Sequence, residues 1–170
     1  MAVHEIRKYP DPVLKKKTAP IETIDDAVNR LIDDMVETMR EAPGVGLAAP
    51  QVDVSLRVIV VEFGDEEDEE APKKLYTMVN PVITRPSEEM VVATEACLSI
   101  PGFVGDVERH QAITIKGLNR FGKPMRVNAH GWLARIFQHE IDHLDGVLYI
   151  DKAQDVWRPE DAEAEVVAAD

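Results

Sequence analysis

The chain has 170 residues, 45% of them hydrophobic and 30% charged, with a formal net charge of −13 and a pI of about 4.8. That length suits one domain with a single sizeable core, and the acidic balance excludes broad binding to nucleic-acid phosphates or anionic membranes. The first residues, MAVHEIRKYPDPVLKKK, carry no secretory apolar core, no apolar run reaches the ~18 residues of a membrane span, and the one cysteine, Cys97, has no intramolecular partner, so the expectation is a cytoplasmic protein.

In chain order, Tyr9-Pro10-Asp11-Pro12 marks a turn, followed by Lys15, Lys16 and Lys17. Ile24, Val28, Leu31, Ile32, Met35, Val36 and Met39 recur at spacings of three and four, which predicts an amphipathic helix over 23–41, stopped by Ala42-Pro43-Gly44. Residues 44–51 (GVGLAAPQ) are small, so the backbone there can approach another group closely. Residues 57–63 (RVIVVEF) form a β-branched strand. The acidic run 65–70 is a solvated loop ended by Pro72. Strands follow over 75–80 and 90–95. A meander over 104–107, 112–118 and 124–129 turns at Asn119-Arg120-Phe121-Gly122. Gly131 opens a second helix with an apolar face of Trp132, Leu133, Ile136, Phe137 and Leu144, ended by Asp145-Gly146. Residues 147–150 read as a last short strand, and 155–170 as a weak helix or a disordered segment. One helix, a run of strands and then a second helix indicate an α+β fold rather than alternating α/β.

The second helix carries Gln138-His139-Glu140-Ile141-Asp142-His143. Positions i and i+4 share one helix face, so both imidazoles can reach one metal ion, and Glu140 stays close by to handle protons. Metal-assisted hydrolysis needs that combination. The plainer reading is a solvated helix with two surface histidines. A catalytic site of this kind needs a third protein ligand and an open position for water. Cys97, within Glu95-Ala96-Cys97-Leu98-Ser99, offers a thiolate. Glu163, twenty residues after His143, would give the pattern of many H-E-x-x-H peptidases. Little in the Ala/Glu/Asp-rich tail would hold Glu163 rigidly, which favours Cys97. A metallopeptidase using Glu163 and a non-catalytic metal-binding protein are the competing readings, and the presence of Glu140 argues against the second.

The chain resembles the peptide deformylases. The family's first motif, G-apolar-G-apolar-A-A-x-Q, matches Gly44 to Gln51. Its second, usually E-G-C-L-S, is Glu95-Ala96-Cys97-Leu98-Ser99 here. Its third, Q-H-E-x-D-H-L-x-G, matches Gln138 to Gly146, and the similarity runs over residues 6–151. The resemblance implies one catalytic domain over 1–152, with antiparallel β-sheets packed around a central metal-binding helix, and an acidic tail over 153–170. It implies one divalent metal ion held by Cys97, His139 and His143, with water in the fourth position. That metal is ferrous iron in the cell, and zinc, nickel or cobalt can take the same place. Glu140 would be the general base and then the acid, and the Gln51 side chain and Leu98 backbone N–H would line the oxyanion site. The substrate would be the formyl-methionine end of a nascent polypeptide, and the products formate and a free amino terminus.

Further expectations attach to single residues. Val45, Gly46, Leu98 and Ile136 are candidates to line a pocket for methionine, with core packing an equal alternative for Val45 and Ile136. The Gly46 backbone is a candidate to pair with the peptide as an added strand. Arg135 is expected to pair with Glu95, and Arg109 to reach the peptide backbone. His4, His110 and His130 lack ligand spacing, and Trp132 and Trp157 read as packing residues. Ala96 replaces the family's glycine, which costs about 1 kcal/mol if that position needs φ > 0 and nothing otherwise. A monomer is expected, with no membrane partner and no sequence-specific nucleic-acid binding. Any transient ribosome contact would come from Lys15, Lys16 and Lys17.

Overall fold

The computed structural model describes residues 2–65 and 67–159. Helix α1 (Asp26–Glu41) starts three residues later than its apolar spacing suggests. The cause is Asp25, an extended residue whose carboxylate accepts the Val28 N–H at 3.0 Å and so caps the helix. The buried stripe of α1 is Val28, Ile32, Met35, Val36, Thr38 and Met39.

Five strands, β1 (Gly46–Ala48), β2 (Val58–Phe63), β3 (Lys74–Thr84), β6 (Ala112–Leu118) and β7 (Pro124–His130), form one antiparallel sheet in the order β1-β2-β3-β6-β7. A second sheet has the order β4-β5-β8, from Met90–Cys97, Ile100–His110 and Asp155–Trp157. The continuous apolar run of β2 follows from burial on both faces. Val58 and Val60 pack with Ile32, Met35 and Met39 of α1, while Ile59 and Val61 pack with Ile136, Phe137 and Ile141 of helix α2 (Gly131–Leu144). The larger sheet is therefore sandwiched between the two helices, and α2 is buried almost throughout, with Ala134 to Ile141, His143 and Leu144 inside. A third cluster joins Val13, Leu14, Cys97, Ile100, Val107, Leu148 and Tyr149.

Four expectations change. Residues 104–107 do not form a meander with 112–118 and 124–129, because β5 pairs with β4 and β8 while β6 pairs with β7 in the other sheet. Strand β3 runs four residues past Asn80, because Asn80 takes φ 53 and a bulge between Val79 and Val82 absorbs Pro81. The Asn80 side chain holds that conformation by bonding both the N–H and the C=O of Ile21 at 2.8 Å. Residues 147–150 are not a strand. Tyr149–Lys152 form a single helical turn, α3, and the Asp151 carboxylate accepts the Leu148 N–H at 2.9 Å to start it. An apolar run this short carries no period that separates strand from helix. Finally, Asp155–Trp157, assigned above to the acidic tail, pair with Val104, Gly105 and Asp106 as β8, so ordered structure continues past residue 152. Glu163 lies outside the described residues. Among the described residues no helix is long and apolar enough to cross a membrane.

Candidate metal centre

The site forms where the end of β4 meets the inner face of α2. Pairing of β4 with β5 shifts between Glu95 and Cys97, and that irregularity turns Cys97 towards the helix. The Cys97 Sγ lies 3.5 Å from His143 Nε2. One ligand atom each of Cys97, His139 and His143 lies within 4.8 Å of the others, and all three residues are buried. A thiolate with two imidazoles is a donor set for zinc or ferrous iron, and three ligands leave a position for water.

The histidine orientation is fixed from outside. His139 Nδ1 donates to Glu95 Oε1 at 2.9 Å, which leaves Nε2 as the ligand atom. Glu95 is fully buried. Arg109 donates to both its oxygens, at 2.5 and 2.9 Å, and Arg135 Nη1 donates to Oε2 at 2.6 Å. Burial pushes the Glu95 carboxyl up, but the Arg109 bonds and then the His139 bond outweigh it and hold the carboxyl well below the usual carboxylate range. Burial lowers Arg135, with Glu95 acting in the opposite direction. Arg109 also reaches Asp142 of α2 at 2.8 Å, so one guanidinium ties the second sheet to the metal helix.

Gln51 is fully buried in the short turn after β1. Its Oε1 accepts the Ala48 N–H at 3.0 Å, and its Nε2 donates to Ser99 Oγ at 3.1 Å and faces Cys97 Sγ at 3.8 Å. Leu98 lies in the two-residue turn directly after Cys97, with its side chain packed against the α1 cluster. Glu140 is fully buried. Gly46 makes room for it, since a Cβ on Gly46 would lie 2.6 Å from Glu140 Oε2. Val45 lines a cavity of about 470 Å³ with Phe63, Trp132, Lys73 and the acidic residues Glu62 and Asp68.

The candidate residues thus divide. Cys97, His139, His143, Glu140, Gln51 and Gly46 converge, and Val45 lies beside them at the cavity. Ile136 is fully buried within the core cluster and is not among the residues lining that cavity. Arg109 does not face a substrate cleft, because the residue is only 3% exposed and its nitrogens are spent on Glu95 and Asp142. Arg135 pairs with Glu95 as expected. Ala96 has no positive φ, so alanine is unstrained there. His4 bonds Asp34, and His110 Nδ1 lies 2.7 Å from the Ser87 carbonyl. His130 is the exposed residue before α2.

Two supporting residues escape local sequence reading. Tyr149 stacks on the His139 ring at 6.1 Å and 21° between planes. It packs where Gly105 has no side chain, since a Cβ there would come 3.1 Å from the Tyr149 ring. Gln138 bonds both the N–H and the C=O of His110, at 3.0 and 2.9 Å, and docks α2 on β5. Only the Gln before the first motif histidine hinted at it.

A family model described as polypeptide deformylase matches residues 3–158. A peptide deformylase of Symbiobacterium thermophilum is 52% identical over 167 residues, covering 97% of this chain and 74% of that protein. One of Natranaerobius thermophilus is 47% identical over 162 residues, covering 95% and 99%. Among solved structures, the peptide deformylase from Thermotoga maritima superposes with a TM-score of 0.84 at 38% identity, covering 91% of this chain and 100% of that one. That from Ehrlichia chaffeensis in complex with actinonin gives 0.85 at 38%, covering 91% of each.

Proposed function

This chain belongs to the polypeptide deformylase family, metal-dependent hydrolases that remove the N-formyl group of nascent polypeptides, and we propose that Cys97, His139 and His143 hold its metal while Glu140 carries the proton. The observation that carries this assignment is the convergence of the three ligand atoms within 4.8 Å on the helix that also bears the buried Glu140. The described residues meet the ligand requirement without Glu163, which removes the motive for a peptidase assignment.

A divalent metal bound there lowers the pKa of water and makes hydroxide available near neutral pH. The rest of the chemistry belongs to the protein. Glu140 takes the proton of the attacking water as the formyl carbon becomes tetrahedral. The Gln51 amide and the Leu98 N–H donate to the formyl oxygen as it gains charge, and losing one such donor typically costs about 3 kcal/mol in the transition state. Glu140 then returns its proton to the departing nitrogen. Strand β1 is the outermost of its sheet, which suits addition of the peptide as a further strand beside Gly46. Val45, next to Gly46, is the candidate contact for the methionine side chain.

The native metal is ferrous iron on this reading, with zinc, nickel or cobalt as substitutes, because a Cys-His-His set accepts all four. The protein works as a cytoplasmic monomer on formyl-methionine peptides. Any transient ribosome contact uses Lys15, Lys16 and Lys17, all exposed, with Lys15 also ion-paired with Asp151. The test is formate release from a formyl-Met peptide by iron-loaded protein under exclusion of oxygen. Release that disappears with a chelator, returns with ferrous iron and is absent in Cys97→Ala supports the assignment. A Cys97→Ala protein that retains metal and rate contradicts it.

A further inference from the structure

The segment before α1 touches all three motifs. Its start is anchored on α1, where the Ala2 N–H donates to Asp34 at 2.8 Å and the His4 N–H to Thr38 Oγ1 at 2.9 Å. The Arg7 N–H then donates to the Gln51 carbonyl at 2.7 Å, and the Tyr9 N–H to the Ser99 carbonyl at 2.8 Å. Val13 and Leu14 enter the cluster that buries Cys97. Lys15 passes so close to Gly146 (φ 74) that a Cβ there would lie 2.5 Å from the Lys15 oxygen. Thr18 donates from both its N–H and its hydroxyl to the Leu144 carbonyl at the end of α2, each at 2.8 Å.

The middle of this path closes a ring. Gln51 and Ser99 are joined through their side chains, Nε2 to Oγ at 3.1 Å. Their backbone carbonyls are joined through Arg7 and Tyr9, two residues apart on one segment. Gln51 lies on the turn after β1 and Ser99 on the turn after β4, which belong to different sheets. No backbone hydrogen bond of a sheet fixes one turn against the other, so the segment supplies that constraint. One hydrogen of the Gln51 amide is taken by Ser99, which directs the second towards the Cys97 side.

We infer that residues 2–18 form a positioning strap, and that the Arg7 N–H to Gln51 bond sets the oxyanion donor in place without acting on the metal. The inference rests on the donor role proposed above for Gln51. A donor displaced by about 1 Å can lose up to ~100-fold in rate with substrate binding retained. The Arg7 side chain pairs with Asp11 and Asp53, neither of them a proposed metal ligand, so its link to the site runs through the N–H on Gln51.

The experiment compares Arg7→Pro, which lacks the N–H, with Arg7→Ala, which loses the same side chain and keeps it. Because proline also restricts the backbone, a second variant replaces the Ile6–Arg7 amide by an ester and deletes the N–H alone. Arg7→Pro relative to Arg7→Ala, and the ester relative to wild type, should each lower kcat by roughly tenfold, with KM within about twofold and the same metal per chain. The side-chain amide resonance of Gln51 in the zinc-loaded protein should move. An ester-linked protein with the kcat of the reference per bound metal, and an unmoved Gln51 resonance, overturns the strap. A Gln51→Ala control distinguishes the two claims. If Gln51→Ala is slow while the ester is not, the strap alone fails. If Gln51→Ala keeps the reference rate, the donor assignment fails and takes the strap's function with it.

Discussion

Gly46 and Glu140 compete for one space, because a Cβ built on Gly46 would stand 2.6 Å from Glu140 Oε2 and 3.0 Å from its Cγ and Cδ. The second glycine of the first motif is therefore a requirement of the third motif's carboxylate. It is not a requirement of its own backbone, since Gly46 has no positive φ. Gly46→Ala should push Glu140 out of line in an interior with no slack. The expected outcome is a fall in kcat of about 100-fold with bound metal unchanged, measured by steady-state kinetics beside metal analysis. A variant with wild-type kcat would show that Glu140 moves aside freely.

Glu95 carries more of the site than its absence from the ligand set suggests. It orients His139 and neutralises Arg109 and Arg135, all within the interior. Glu95→Ala leaves buried guanidinium charge uncompensated, which should cost about 3–5 kcal/mol of stability. Metal affinity should fall roughly 10–100-fold as His139 loses its orienting carboxylate. Denaturant unfolding and a chelator competition measure the two effects separately. Unchanged metal affinity would mean that Tyr149 packing alone orients the ring.

Much of this arrangement was legible in the chain. The spacing in α2 put both histidines on one face, and the β-branched run within 57–63 marked β2, continuous because both its faces meet helices. The legible features are local periods. Arg109 was misread because its partners are distant in sequence: Glu95 lies across the β4–β5 pair and Asp142 on the metal helix. A basic residue looks the same in sequence whether it faces a substrate peptide or the interior. Residues 147–150 were misread because four apolar residues carry no period, and Asp151, which caps the turn, gives its signal only through geometry. The reading of 155 onward as a weak helix or a disordered segment missed β8 for a similar reason, since Asp155–Trp157 become a strand only by pairing with β5.

The start of the strap should respond to acid. The His4 hydrogen bond holds the Asp34 carboxyl below its ordinary value of 3.8, with burial opposing and the Ala2 N–H assisting. A depressed carboxyl stabilises the fold above its unfolded pKa and loses that contribution as pH falls through the folded one. Asp34→Asn should therefore cost less than about 1 kcal/mol at neutral pH, and the difference from wild type should vanish at strongly acid pH. The Ala2 and His4 amide resonances of the wild type should titrate with a midpoint below 3.8. A midpoint above that value contradicts the assignment.

Cys97 makes the centre sensitive to oxidant. Its sulfur is the one thiol in the chain and sits at the metal site, where binding keeps it as thiolate. Peroxide treatment of the iron-loaded protein should abolish formate release together with the free-thiol titre. Full activity after prolonged exposure would show that the Cys97 thiolate does not hold the metal.

On the proposed mechanism Glu140 moves the proton and binds no metal. Glu140→Gln is the direct measurement, with formate release and metal content determined on the same oxygen-free sample. One metal per chain is expected, as in the wild type, with a rate lower by about 100-fold or more. A variant that keeps its rate, or that loses its metal along with it, would contradict the role assigned to Glu140.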